Sequence, residues 1–379
     1  MRTNDVNIGD SSPASNRKGS ISAPELVRTL RARILAGEWE PGIQLPTWSD
    51  MEAQLNVGRT TLAKAVRQLK RDGFVFSSST RGTFVSARPP HLYRYALAFR
   101  GQPDAEGWVR FWWALANEAT TWNQNHAGSL VTFFGVAGSD RSPSHQRLLE
   151  EVEADRLAGV IFVGHPPEIS QQLLNHPWLA KVAICGESTH EGLARVYPDR
   201  GSFIKRSLEH LRDRGCRSVA VVTGGHPEFA AFDRAILDHG MTTRSFYRIA
   251  AALHDPDSAR NIVHLLLDRS PDDRPDALII TDDNLVDSAM AGVRDSGIRV
   301  GENLQLVAHC NWPQVGNAYP DITRLGFNAA HVLRQAVTCV ESLRRGEIVL
   351  GHTHVPAIFE HELTVTQTSK ARTVESMDY

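Results

Sequence analysis

Residues 45–85, LPTWSDMEAQLNVGRTTLAKAVRQLKRDGFVFSSSTRGTFV, decide how the chain is to be read. Met51 and Leu55 stand four apart in a short segment opened by Pro46 and Thr47, and Leu62, Val66 and Leu69 form an i, i+4, i+7 stripe in the next. That spacing predicts two amphipathic helices burying one face against each other. Between them Asn56 tolerates the left-handed backbone of a sharp turn, and Gly58 is an acceptable N-cap, so the second helix begins at Arg59. Lys70 and Arg71 complement the negative end of that helix, and Gly73 terminates it. Two β-rich runs, 74–76 and 83–85, flank 77–82 and predict a hairpin wing with Arg81 near its tip.

Charge follows the same division. Residues 17–94 hold 13 Lys and Arg against six Asp and Glu, a surplus of seven, while the whole chain carries −2, leaving −9 for the remainder. A basic head on an acidic body points to a polyanion partner at one end only. The second helix opens with Arg59, Thr60 and Thr61, three side chains able to donate to phosphates or base edges.

The stretch resembles the winged helix-turn-helix of the GntR family of bacterial transcription regulators. The carrying residues are Leu45-Pro46, Leu55, Val57, Arg59-Thr60-Thr61-Leu62, Ala65, Leu69, Gly73 and Arg81-Gly82-Thr83-Phe84-Val85. The resemblance implies a double-stranded DNA operator as partner, contacted by Thr47, Ser49, Arg59, Thr60, Thr61, Lys64, Arg67, Arg81 and Gly82. The chain departs from the pattern at four places. Family members usually carry an acidic residue and an Arg where Trp48 and Ser49 stand, a Ser or Thr at Gly58 and often an Arg at Ala63. Two arginines expected on DNA are therefore missing. Lys64 and Arg67 either replace them or are plain solvated charge on an exposed helix face.

With 379 residues and 41% hydrophobic side chains, the chain has room for more than one domain, and no apolar run is long enough for a membrane span. The polar residues 1–21 lack an apolar core of signal-peptide type, so a disordered tail and a cytoplasmic protein with no membrane partner are expected. Cys185, Cys216, Cys310 and Cys339 are scattered, without metal spacing, which suits reduced thiols.

A first helix is expected at 24–36, with Leu26, Leu30 and Ile34 on one face and Trp39 plugging the head's core. The head thus spans 22–86, and a linker spans 87–94, where two prolines in SARPPH are expected to preclude helix. From Tyr95 onward short apolar runs alternate with helical segments. Strands are expected at 95–99, 130–134, 159–163, 182–185, 219–223, 245–249, 277–280 and 304–308, and helices at 108–126, 144–155, 168–175, 201–214, 228–239, 257–269, 284–296 and 329–345. Such alternation predicts an α/β fold with parallel sheets covered on both faces, and the length of 95–362 suits two sheets, hence two lobes with a ligand crevice between them. Residues 363–379 read as a flexible tail.

This body looks like the effector-binding domain of the LacI/GalR family, itself similar to periplasmic sugar-binding proteins. The carrying segments are 196–201 (VYPDRG), His210-Leu211 and Gly215, 231–236 (AFDRAI), 281–284 (TDDN) and 297–300 (GIRV) leading to 304–307 (LQLV). The resemblance implies a small-molecule effector bound by Asp283, with Glu228 where the family commonly places an Arg and Ala308-His309-Cys310-Asn311 followed by Trp312 where it has Gly-aromatic-Asp-Asp. Losing a cation and gaining an acid favours a neutral polyol, such as a sugar, or a cationic group over a carboxylate. Trp108 and Trp312 would serve as stacking platforms for a sugar ring, although Trp108, Phe111, Trp112 and Leu115 also have the spacing of a packed helix face. Glu187, Asp104 and His165 each follow an expected strand and would line the same cleft, or are solvated loop residues.

His352 and His354 alternate on an expected strand without a third ligand nearby, so no metal and no cofactor are expected. No GxSxG, Walker or GxGxxG motif is present, and the few lysines of the body lack the setting of a Schiff base, so an enzyme fused to the head is disfavoured. A transport-type receptor without a DNA role fits the body but not the basic head. The expected protein is a homodimeric, ligand-controlled DNA-binding regulator acting as a repressor.

Overall fold

The computed structural model describes residues 21–105, 107–136, 142–164, 171–176, 179–186, 193–224, 229–253, 255, 257–314, 316–317, 319–347 and 351–363. These form two compact units dividing between Leu92 and Tyr93. The tails expected at 1–21 and 363–379 fall almost wholly outside the described residues.

In the first unit, the head, three helices pack around one small core: α1 (Ala23–Leu35), α2 (Trp48–Leu55) and α3 (Arg59–Arg71). Ser22 and Glu25 start α1 with a reciprocal capping box, and Thr47 caps α2 by accepting the Asp50 N–H at 3.3 Å. Asn56 takes the left-handed turn between α2 and α3 at φ +51°, as its short polar side chain allows. Leu26, Leu30, Leu62, Leu69 and Phe74 are fully buried, each contributing about 1.5–3 kcal/mol relative to exposure. Trp39 packs half-buried on this core. One ion pair joins it: Arg31 reaches Asp72 at 3.2 Å, Gln68 donates to the same carboxylate, and the Arg31 guanidinium lies over the Phe74 ring. The wing is an antiparallel hairpin of β1 (Val75–Ser78) and β2 (Gly82–Val85), to which Gln44 adds an isolated bridge at Phe84.

The helix-free linker is corrected: Pro90–Tyr93 forms one helical turn, α4. Pro90 occupies its first position, where the missing N–H has no intrahelical partner to lose.

The second unit, the body, carries two six-stranded sheets. The first lobe orders its strands β13-β7-β6-β5-β3-β4, from β3 (Arg94–Phe99), β4 (Ser129–Phe133), β5 (Gly159–Val163), β6 (Lys181–Ile184), β7 (Ala194–Asp199) and β13 (His352–Pro356). The second orders them β14-β12-β11-β10-β8-β9, from β8 (Val219–Gly224), β9 (Arg248–Ala251), β10 (Ala277–Ile280), β11 (Gln305–Trp312), β12 (Thr323–Asn328) and β14 (Ile358–Phe359). Every pairing is parallel except β12 with β14. Helices α5 (Arg110–Asn125) and α12 (Ala329–Arg344) cover one face of the first sheet and α6 (Pro143–Glu153) the other, with the short α7 (Gln171–Leu174) preceding β6. On the second sheet, α10 (Ser258–Leu267) and α11 (Val286–Asp295) pack on one face and α8 (Arg200–Asp213) and α9 (Phe229–Asp238) on the other.

The chain passes between the sheets at three points. Asp199 ends β7 and caps α8 by accepting the Ser202 N–H, and Asn328 ends β12 and caps α12 by accepting the Ala330 N–H. The third passage, between β13 and β14, is pinned at Ala357, whose N–H donates to Ser202 and whose carbonyl accepts from Arg206.

The strand set also differs from the sequence expectation. Residues 245–247 form a 3-10 turn, so the strand expected at 245–249 starts only at Arg248. No strand was expected at 194–199, where β7 runs into the start of α8, and β12 and β14 were likewise not expected.

Candidate functional site

Two surfaces carry the residues singled out by the sequence. On the head, Arg59, Thr60, Lys64 and Arg67 are exposed along α3, and Thr61 is half-buried at its start. The side chains of Leu62, Ala65, Val66 and Leu69 hold the opposite face of α3 in the core, which turns the basic residues outward. The Arg59 guanidinium lies 5.9 Å from the centre of the Trp48 ring, an aromatic support at the position where the family pattern has an acid. Thr47 and Ser49 are exposed at the start of α2, but the Thr47 hydroxyl is engaged by Asp50, donating to its carboxylate at 2.6 Å. Arg81 and Gly82 are exposed at the wing tip. Gln44 donates to the Arg81 carbonyl at 2.7 Å, and Gly82 adopts φ +100°, a conformation that suits glycine.

In the body, the C-terminal ends of β10 and β11 bring Asp283, Asn311 and Trp312 to one edge of the second sheet. Asp283 is 7% exposed and Asn311 3%. The Asn311 amide donates to Asp283 Oδ2 at 2.8 Å, and His309 Nδ1 lies 3.8 Å from Asp283 Oδ1. The Asn311 side-chain carbonyl is buried without a partner among the described residues, an open acceptor of the sort that a bound hydroxyl or amine satisfies. Trp312 is buried at the end of β11.

A narrow crevice, open to solvent, adjoins this cluster, lined by Arg110, Asp283, Val286, Ala308, His309, Cys310, Gln314, Asn317, Ile322 and Arg324. Burial pushes the Cys310 thiol up to about 12, with Asp283 adding to the effect, so the sulfur is a neutral wall and no thiolate nucleophile. Arg110 begins α5 in the first lobe and reaches across to the second. Its backbone N–H donates to Asn284 Oδ1 at 3.0 Å, Nη1 donates to the Asp283 carbonyl at 2.7 Å, and Nη2 pairs with the Asp287 carboxylate. Burial works to raise Asp287, but hydrogen bonds from Arg110, Tyr319 and Asn317 outweigh it and hold the carboxyl below the usual aspartate range.

Trp108 sits apart from Asp283 in chemistry. Its ring packs against Phe99, Trp112, Trp113 and Phe134 at centroid distances of 5.1–5.9 Å, and its indole N–H is buried without a partner among the described residues. Asp104 is exposed. Glu187, Glu228 and His165 lie outside the described residues. His352 and His354 both approach the Tyr197 ring, and no cluster of three or more metal-ligating side chains occurs among the described residues.

Sequence reasoning missed Arg110, Asp287, Asn317 and Tyr319. Asp287 lies four residues beyond Asp283, so a shared helical face was legible. Nothing in the spacing ties it to an arginine 177 positions away.

Residues 23–85 match the family of bacterial regulatory proteins, gntR family, and residues 208–361 match the periplasmic binding protein-like domain. The histidine utilization repressor of Pseudomonas aeruginosa is 32% identical over 80 residues, which are 20% of this chain and 32% of that protein, so the chain covers about a third of that relative's length. A LacI-family transcriptional regulator from Rhizobium etli superposes with TM-score 0.55 at 14% identity, covering 70% of this chain and 96% of that one. The CelR transcriptional regulator in complex with cellobiose superposes with TM-score 0.52 at 18% identity, covering 83% and 98% of the two chains. At these identities the last two show a shared fold. Among the described residues no helix is long and apolar enough to cross a membrane.

Proposed function

We infer that this chain, a GntR-family helix-turn-helix domain joined to a periplasmic binding protein-like domain, is a DNA-binding transcription regulator whose operator affinity is set by a small ligand in the body's cleft. The observation that carries the reading is α3: its apolar face is wholly buried and its opposite face exposes Arg59, Thr60, Lys64 and Arg67. Arg59 with Thr60 and Thr61 enters the major groove, Lys64 and Arg67 meet flanking phosphates, and Arg81 with Gly82 follows the backbone from the wing. Thr47 and Ser49 sit where the start of α2 meets phosphate.

In the body, Asp283, Asn311 and Trp312 form the floor of an effector site for a sugar or polyol, while Trp108 belongs to the aromatic cluster of the first lobe. Paired acceptors suit hydroxyl donors, and the relative that binds cellobiose shares the fold. Ligand-dependent closure of the two lobes changes the geometry of two heads in a homodimer and so lowers or raises operator affinity, with repression the expected outcome.

Fluorescence anisotropy on duplex DNA at several salt concentrations tests this. A specific operator is expected to bind at least a thousandfold tighter than random duplex, with log affinity falling by about 0.9 per phosphate contact for each decade of salt. Salt-insensitive binding, or equal binding to all sequences, would overturn the proposal. A thermal-shift screen of sugars and polyols then identifies the effector, since a ligand that binds only the folded body raises its melting temperature.

A further inference from the structure

Arg110 belongs to the first lobe by its helix and to the second by its contacts. Its guanidinium is 21% exposed and Asp287 30%, so the pair is partly withdrawn from solvent, where charge pairing is stronger than at a surface. The receiving site is built without it. Tyr319 and Asn317 donate to Asp287 Oδ1 at 2.8 and 3.0 Å, which fixes the carboxylate and turns Oδ2 toward the cation. The Asp283 carbonyl supplies a second acceptor at 2.7 Å from Nη1. Gly316, at φ +114°, lies directly against the guanidinium: a Cβ there would stand 2.7 Å from Nη1. Beside the site, Asn311 keeps an unpartnered buried carbonyl.

We propose that this acceptor cluster on the second lobe is a cation subsite of the cleft, filled in cis by Arg110 so that it latches the two lobes, and open to a guanidinium or ammonium group of the effector in Arg110's place. The inference rests on reading the body as an effector receptor and narrows the ligand class from polyols in general to those that also carry a cationic group. A neutral hydroxyl displacing Arg110 leaves Asp287 without a counter-charge in a half-buried setting, and a carboxylate meets like charge. A cationic group replaces the resident one in kind. Ligand affinity is then reduced by the fraction of molecules in which Arg110 holds the site.

The test uses the full chain with Arg110→Ala and methylguanidinium as probe. The melting transition of the body is expected to fall in the variant and to rise by about 2–4 °C with millimolar methylguanidinium over an equal concentration of sodium chloride. Wild type, and Arg110→Ala combined with Asp287→Asn, are expected to show no such rise. Arg110→Gln carries the same comparison if Arg110→Ala does not fold. No rise in either single variant, or an equal rise in the double variant, would overturn the subsite. Salt-dependent operator binding, measured on the same wild-type preparation, reports separately on the regulator reading and is unaffected by the rescue result.

Discussion

The side chains of Asn311 and Asp283 meet at 2.8 Å with both residues buried, so the amide supplies the carboxylate's one side-chain hydrogen bond among the described residues. Asn311→Leu removes that donor and leaves a buried anion short of a partner. The cost to the body is expected at about 3 kcal/mol, read from its urea transition. A loss below about 1 kcal/mol would show that the carboxylate does not depend on this amide.

Gly326 pairs with Cys310 in the β11–β12 ladder, and a Cβ built on it would stand 1.8 Å from the Cys310 carbonyl oxygen. The obstacle is backbone, which cannot swing aside as a side chain can. Gly326→Ala is expected to cost about 3 kcal/mol or more in chemical denaturation, or to abolish soluble expression. A variant as stable as wild type would mean the two strands separate at little cost.

Arg59 and Arg81 are exposed, so their loss is expected to spare the fold while weakening DNA binding in different ways. Arg59→Ala removes the side chain proposed to read base edges and is expected to lower operator affinity roughly 10–100-fold while relaxing sequence preference. Arg81→Ala should weaken operator and random duplex alike and reduce the salt slope by about one contact. Anisotropy titrations at three salt concentrations separate the two patterns, and identical behaviour of both variants would contradict these roles.

His210 sits between Thr323 and Arg214: Nε2 lies 3.0 Å from the Thr323 hydroxyl, and Nδ1 accepts from the Arg214 guanidinium at 3.0 Å. Burial first, and the Arg214 charge second, push the imidazole down from 6.5 to about 4. Between those values the unfolded chain binds a proton that the folded body refuses. The contribution of His210 is therefore complete above pH 6.5 and is lost progressively as pH falls toward 4. His210→Gln should flatten that part of the stability profile in urea titrations at pH 7, 6, 5 and 4.5. An unchanged slope would place the acid sensitivity elsewhere.

The head was legible almost residue by residue because each of its turns has a local cause. Asn56 and Gly73 mark where α2 and α3 stop, at φ +51° and +81°, and the stripe of Leu62, Val66 and Leu69 marks the buried face. The body was legible as alternation, since β5, β8 and β10 are continuous apolar runs buried on both faces. Its misreadings fall where local signals conflict with the sheet. Pro198 and Asp199 disguise β7, whose Val196 is fully buried beside β6 and β13, and Gly326 interrupts the alternation of β12. Arg110 and Asp287 were invisible for a different reason. Their pairing is created by the approach of two lobes, and no periodicity within either helix encodes it.

The triple passage between the sheets has a consequence for anyone who would take the body apart. Residues 200–328 supply the second sheet, except its edge strand 358–359, while the first recruits 329–356 from beyond them. No single cut releases either half with all its strands, and a chimaera exchanging one half with another protein of this fold must be spliced at three junctions simultaneously.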